Sequence, residues 1–372
     1  MGKRIKTVIA SVLKPVDDVR MYKKIGLSLQ QTNRYAVNII GFRSKKLPED
    51  NKINFYPLYH FRAKSIQRIF SSIVFFKTLL RIQPRLLIVT TYELLPAACL
   101  YCWVDRKVKL VYDVRENYAL NVLSNRKGSG SAKVLANLIR TIEIGAQYYI
   151  ILNILAESNY TKELSFLVNT LVIRNKFVKP RVPLSQKKIE LVQKKILYCG
   201  TISESYGIWQ AVYLAKKLAE EDKNFSTKII GHVTHEPLLD KLKLITHPAL
   251  SFDISPRPIP HDYILEAMSQ ADYGMIAHQL TSSIKNCFPT RIYEFMHFNI
   301  PILLQSNPYW VDFCKTYHAC IALDFNQFDA SKIMEQMNNQ QFYNTTKRPD
   351  IYWETEEEKL LKALDKLFNV IF

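Results

Sequence analysis

Glycine is scarce in this sequence, at 10 of 372 residues, and is outnumbered by 16 prolines. Collagen-like repeats and glycine-rich linkers are thereby excluded. Long uncharged apolar runs are also missing. The most apolar stretch, 66–104, is interrupted by Lys77, Arg81 and Arg85, which argues against a spanning helix. The basic start leads into an apolar run that stops at Lys14-Pro15 with no small-residue cleavage site, so it reads as a first strand rather than a signal peptide. Gly2 opens no myristoylation match, because Lys6 stands where Ser or Thr is required. No D-x-D, H-x-x-x-H or H-E-x-x-H occurs, so no dedicated metal site is expected. The phosphate-loop pattern G-x-x-x-x-G-K-[ST] is absent, and no period of 20–50 residues recurs to mark a solenoid or propeller. The six cysteines are scattered; Cys99 and Cys102 sit in an apolar, helix-like run and read as buried thiols rather than a zinc or redox pair.

Acidic residues are the other shortage, and they are short in one half only. Residues 1–178 carry 29 Lys and Arg against 11 Asp and Glu, whereas 179–372 carry 22 of each, so the formal charge of +18 lies entirely in the first half. Such asymmetry points to a polyanionic partner, a membrane surface or a nucleic acid. No zinc finger, RNA-recognition signature or isolated basic helix accompanies it, which weighs against a nucleic acid.

What is present is regular alternation. Strand signals at 5–13, 35–41, 86–90, 109–113 and 148–155 alternate with helical spacing at 19–31, 65–82, 92–104 and 132–146. The pattern lapses between Lys176 and Lys195, where a linker is placed. It restarts with strands at 195–199, 225–231, 250–254, 273–277 and 301–304 and helices at 208–221, 236–245, 261–268 and 290–298. The expected fold class is α/β, two doubly wound Rossmann-like domains facing a cleft. Their bounds are 1–178 and 179–353, with a C-terminal helix, 354–372, placed as returning to the first domain. Ligands of such sheets bind beyond the carboxyl ends of the strands, so the chemistry is expected in those loops.

Two loops stand out. Pro289-Thr290-Arg291 suits a helix start, where free amides and the dipole favour a diphosphate. Glu294, one turn further in, suits a pair of vicinal hydroxyls, each charge-assisted bond contributing about 1.5–3 kcal/mol. The second loop, Gly200-Thr201-Ile202-Ser203-Glu204-Ser205-Tyr206-Gly207, follows a strand expected to end at Gly200 and leads into a helix.

Together with Lys14-Pro15-Val16-Asp17-Asp18-Val19-Arg20-Met21-Tyr22 and Tyr112-Asp113-Val114-Arg115-Glu116-Asn117, these segments resemble the retaining GT-B-fold glycosyltransferases of the family 4 type, in their bacterial surface-polysaccharide branch. The family form P-N-K-[LI]-F-E-Y reads here Pro289-Thr290-Arg291-Ile292-Tyr293-Glu294-Phe295. The resemblance implies that Glu294 binds the donor ribose and that Arg291, with the helix start, holds the diphosphate. There are three departures. Asn286 stands where many members have a donor-sugar Glu. The loop after Gly200 lacks the usual Arg and Lys, leaving Lys285 and Arg291 as the cations. The first-domain D-x-H-E reads Asp113-Val114-Arg115-Glu116, with Arg115 in place of His.

The expected donor site is therefore Gly200, Thr201, Lys285, Asn286, Thr290, Arg291 and Glu294. Asp113, Arg115 and Glu116 are the catalytic candidates, and Asp17 and Asp18 face the acceptor. Glu157 and His278 are weighed as cleft residues against structural roles. The resemblance implies a metal-independent, retaining transferase that moves a sugar from a nucleoside-diphosphate sugar to an acceptor hydroxyl, with no other cofactor. The acceptor is expected to be a saccharide or lipid-linked saccharide in surface-polysaccharide synthesis. The chain is expected to be cytoplasmic and peripheral on an anionic membrane, with no nucleic-acid partner. A nucleotide-sugar epimerase and a degenerate, non-catalytic sugar-nucleotide binder are the near alternatives. A basic nucleic-acid-binding protein is the alternative of a different class.

Overall fold

Runs of aliphatic residues without polar alternation build strands covered on both faces, as parallel sheets require. In the computed structural model Val8, Ile9, Ala10 and Val12 have no exposed surface, with Val8 and Ala10 packed on one face of their sheet and Ile9 on the other. The structure describes residues 4–44, 47–50, 52–60, 67–125, 129–180, 194–344 and 348–368. Gly2 and most of the linker lie outside them. The chain divides into two compact units, Met1–Val178 with Trp353–Phe372, and Lys179–Tyr352.

The strands of the first unit are β1 (Ile5–Pro15), β2 (Tyr35–Phe42), β3 (Asn54–Tyr59), β4 (Leu86–Val89), β5 (Lys109–Val114), β6 (Ile150–Leu155) and β7 (Thr170–Val172). They form a parallel sheet in the order β3-β2-β1-β4-β5-β6-β7. Its helices are α1 (Leu27–Gln31), α2 (Gln67–Ile82), α3 (Leu95–Val104), α4 (Tyr118–Asn125), α5 (Gly130–Ala146) and α6 (Tyr160–Glu163). The inner faces of α2, α3 and α5 pack on one side of the sheet, through residues such as Phe75, Leu79, Tyr101 and Ala146.

The second unit holds β8 (Lys194–Ile202), α7 (Ile208–Glu221), β9 (Phe225–Val233), α8 (Glu236–Lys243), β10 (Leu250–Ser255), α9 (His261–Ser269) and β11 (Tyr273–Ile276). It continues with α10 (Arg291–His297), β12 (Ile302–Gln305), α11 (Pro308–Lys315), β13 (Cys320–Leu323) and α12 (Ala330–Asn339). Its parallel sheet runs β10-β9-β8-β11-β12-β13. That is the 3-2-1-4-5-6 order of a doubly wound dinucleotide-type fold. The chain then returns to the first unit as α13 (Glu354–Lys366), whose Leu360 and Leu364 are fully buried against Ile9, Ile88 and Val111. Trp353 Nε1 donates to Ser28 Oγ at 2.9 Å, and Tyr35 donates to Asp365 at 2.8 Å.

Several elements differ from the sequence reading. The helix expected over 19–31 is a π-helix, Val19–Gly26, continued by α1; its wider turn carries two inward cations, Arg20 and Lys24, both buried. β8 does not end at Gly200 but runs on to Ile202. The edge strand β3 went unread because Pro57 interrupts it, and proline is tolerated at an edge where no ladder bond is lost.

Candidate active site

In the second unit the strand order reverses between β8 and β11, and the loops after these two strands meet: Gln279 N donates to Ser205 O at 2.9 Å. Gly200 has φ +118°, and a Cβ built there would stand 3.2 Å from Arg291 Nε, so the bare backbone of β8 lies directly against that guanidinium. Gly207, at the start of α7, has φ +76°. A Cβ on Gly207 would fall 1.8 Å from the carbonyl oxygen of Ala277. Gly207→Ala is therefore expected to destabilise this unit by at least the ~1–3 kcal/mol of a strained left-handed residue, read as a lowered denaturant midpoint.

Arg291 and Glu294, three apart on α10, form an ion pair, and His261 at the start of α9 lies 3.1 Å from the other oxygen of Glu294. Glu294 is buried. Burial alone would raise its carboxyl pKa, but Arg291 and His261 outweigh it and hold the group down to about 2. Burial likewise works against the Arg291 charge, and Glu294 more than offsets it. A carboxylate has about four acceptor positions. Arg291 and His261 use two, which leaves room for two hydroxyls.

Thr290 stands at the N-cap of α10 in helical backbone and makes no capping bond with its side chain. Thr201, Lys285 and Asn286 are exposed, the latter two on the loop leading into α10. That loop is pinned by Asn307, whose Nδ2 donates to Lys285 O at 2.8 Å. His278 follows β11, with its ring between Tyr206 (centroids 4.7 Å apart) and Trp310 (5.9 Å). Burial pushes its pKa down to about 4, so the imidazole is neutral at pH 7. Its Nδ1 and the neighbouring Gln279 Nε2 are buried with no hydrogen-bond partner, an arrangement that a polar ligand group would relieve.

In the first unit four charged side chains interlock at the ends of β1 and β5. Arg20 donates to both oxygens of Asp113, from Nη2 at 2.7 Å and Nε at 3.0 Å, and from Nη1 to Ile173 O at 3.0 Å. Arg115 donates from Nε to Asp113 at 3.1 Å and from Nη1 to Asp18 at 2.8 Å. Asp18 also accepts from the amides of Arg20 and Met21, capping the π-helix. Burial alone would raise the pKa of both aspartates; the guanidinium groups outweigh it and hold both below the ordinary value. Asp113 thus corrects the sequence reading. It has no exposed surface and both its oxygens are engaged, so it is not presented to an acceptor.

Arg115 is nearly buried, with Nη2 lacking a partner. Glu116 is half-buried and accepts from Asn121 Nδ2 at 3.1 Å. Asp17 is half-buried beside Asp18, and burial raises its pKa. Glu157 is half-buried. Two participants escaped the sequence reading, His261 and the pairing of Arg20 with Asp113. Both contacts join distant segments and leave no local pattern. No group of three or more metal-ligating side chains occurs among the described residues.

No family model and no curated protein matches the chain. Solved structures do. A sucrose-phosphate synthase from Thermosynechococcus elongatus aligns at TM-score 0.71 and 12% identity, covering 99% of this chain and 100% of that one. HepE of Anabaena in complex with UDP aligns at 0.65 and 13%, covering 97% and 100%. The fold is GT-B. A Listeria monocytogenes structure described as a putative UDP-N-acetylglucosamine 2-epimerase aligns at 0.63 and 9%, covering 100% and 98%. No helix among the described residues is long and apolar enough to cross a membrane.

Proposed function

We propose that this chain is a nucleotide-sugar-dependent glycosyltransferase of the retaining, family 4 type. The observation that carries the proposal is Glu294, a buried carboxylate with two acceptor positions to spare, fixed by Arg291 and His261 beside the bare backbone of Gly200. In this reading Glu294 takes the two ribose hydroxyls of the donor. Arg291 and Lys285 neutralise the diphosphate, with the Thr290 and Thr201 segments alongside, and His278 and Asn286 meet the donor sugar. The bond from the sugar's anomeric carbon to the diphosphate breaks, and the acceptor oxygen bonds that carbon on the same face. Cations and backbone amides stabilise the departing charge without a metal.

On the acceptor side, Glu116 and Asp17 position or deprotonate the acceptor hydroxyl, while Asp18, though partly exposed, is taken up by Arg115. Asp113 orients Arg115, and Asp18 holds it from the other side. The acceptor is a saccharide, carried on a lipid at the inner face of an anionic membrane and destined for a surface polysaccharide. The charge confined to 1–178 supports that placement.

A thermal-shift panel of UDP, GDP, ADP and CMP tests the donor reading. A nucleotide at 100 times its dissociation constant adds roughly 2.7 kcal/mol, or about 5–10 °C for a domain of this size. A melting temperature unmoved by all four would remove the proposal. Turnover of a radiolabelled donor is expected to persist in excess EDTA; loss restored by Mn²⁺ or Mg²⁺ would overturn the metal-independent mechanism. The epimerase neighbour favours one second reading. Donor consumed with no acceptor present, giving an epimeric sugar, would select it.

A further inference from the structure

We propose that Arg348, Lys179 and His297 form a second anion site in the second unit, one that takes inorganic phosphate. The site goes beyond the donor reading and does not depend on it.

Two arginines are buried among the described residues, Arg20 and Arg348. Arg20 meets both oxygens of Asp113. Arg348 is 6% exposed and has no such carboxylate. Its Nη2 donates to the side chain of Asn299, while Nε and Nη1 are buried without a partner. Asp350, two residues on, is exposed and accepts from Tyr317 at 2.9 Å instead. A guanidinium held out of water without a counter-charge is strongly unfavourable, and buried charges are as a rule paired. Here the pair is missing and two donors are unspent.

The surroundings add charge of the same sign. His297, the half-buried last residue of α10, has its pKa held down to about 4 by burial and then by Lys179 and Arg348. Two cations therefore face this imidazole. Tyr352 links the group, with its ring centre 4.1 Å from Lys179 Nζ and its hydroxyl 3.3 Å from His297 Nδ1. The guanidinium of Arg348 lies 4.6 Å from the centre of the Tyr343 ring. That contact takes up a face of the plane, and each edge keeps one unused nitrogen.

The position is separate from the donor groups. Arg291 starts α10 and His297 ends it, a rise of about 9 Å. Lys179 and Tyr352 are the first and last residues of the second unit, so the site lies where the chain enters and leaves it. Phosphate fits the donor set. It is more than singly charged at neutral pH, and its oxygens can accept from guanidinium, ammonium and imidazole together. A lone carboxylate would answer only one of the two cations. The rival account is structural, with cations serving the end of a helix. Arg348 donates to no carbonyl there; its one side-chain bond goes to the Asn299 side chain.

The test is imidazole NMR of the full chain during titration with inorganic phosphate, at pH 7.5 and fixed ionic strength. Signals are assigned through single His→Gln variants. His297 reports this site, and His261 and His278 report the donor side. The His297 signal is expected to move to saturation as for one site. Arg348→Met should weaken this binding at least about tenfold, through the loss of charge-assisted bonds. Lys179→Gln should weaken it about two- to fivefold, the worth of one exposed charge. Phosphate at ten times its dissociation constant should raise the melting temperature of wild type by about 3–6 °C, and that of Arg348→Met hardly at all. Without phosphate, Arg348→Met should melt no lower than wild type, because an unpaired buried charge has gone. If Arg348→Met does not fold, the wild-type His297 signal and Lys179→Gln carry the test. A His297 signal unmoved by phosphate, or equal binding by wild type and Arg348→Met, would overturn the site. So would a melting temperature lowered in Arg348→Met by the same amount with and without phosphate. Movement confined to His261 and His278 would overturn it too, and would leave the donor reading standing.

Discussion

Replacing Glu294 with glutamine is expected to lower donor affinity at least a hundredfold, while Glu157→Gln leaves it within a few-fold of wild type. Two charge-assisted hydrogen bonds to the ribose become neutral ones, and each charged bond is worth about 1.5–3 kcal/mol. Part of the loss is indirect. Arg291 is paired with Glu294 across one helical turn and lies against Gly200, so without the carboxylate its guanidinium loses its fixed orientation. Isothermal titration with the nucleotide that gives the largest thermal shift reads the effect. Equal affinities for the two variants would remove the ribose assignment. The same carboxylate fixes a pH dependence. Its pKa is held near 2, below the ordinary 4.5, so its ion pair adds stability that is fully present above about pH 4.5. That stability is lost as the pH falls towards 2, and Glu294→Gln should flatten this limb of the stability profile.

The second large effect is expected in the other unit. Asp113→Asn should destabilise it by about 3–5 kcal/mol, the range for removing one partner of a buried ion pair. The shape of the side chain is kept, but Arg20, which is buried, and Arg115, which is nearly so, lose the charge that compensates both. Urea unfolding, with hydrogen exchange of the β1 and β5 amides to report on this unit, measures it. A midpoint like that of wild type would show that the four-residue network is not what holds these strand ends together. Glu116→Gln, by contrast, removes an exposed-side carboxylate and should leave the midpoint unchanged.

The two parallel sheets were legible because their strands are predominantly aliphatic runs separated by helices with clear spacing, wholly so in β4 and broken by a single polar residue, Asn153, in β6. The elements that went unread are short or disguised. β7 has three residues, β3 carries Pro57, and α11 begins Asn307-Pro308, an N-cap and N1 pair that the sequence does display. Of the proposed donor side, Glu294 could be read one turn beyond the helix start at Pro289-Thr290, and Arg291 through the resemblance to the family form over Pro289–Phe295. His261 could not, since it reaches Glu294 from another helix 33 residues away. On the acceptor side, the order Asp113-Val114-Arg115-Glu116 suggested a catalytic carboxylate at its first position. The structure turns that residue inward because Arg20 meets it from 93 positions upstream, a pairing that no local spacing encodes.

The return of α13 to the first unit reverses the order in which the two units can be completed during synthesis. The second unit is one continuous segment, Lys179–Tyr352, and can close as soon as it leaves the ribosome. The first emerges earlier but lacks Trp353, Leu360 and Leu364, so the sheet face bearing Ile9, Ile88 and Val111 stays partly uncovered. At roughly 5–20 residues per second, that face waits on the order of 10–35 s for its last helix. The domain begun first is thus the domain finished last, and a chain cut short anywhere before Trp353 would carry an open apolar face however well its second half had folded.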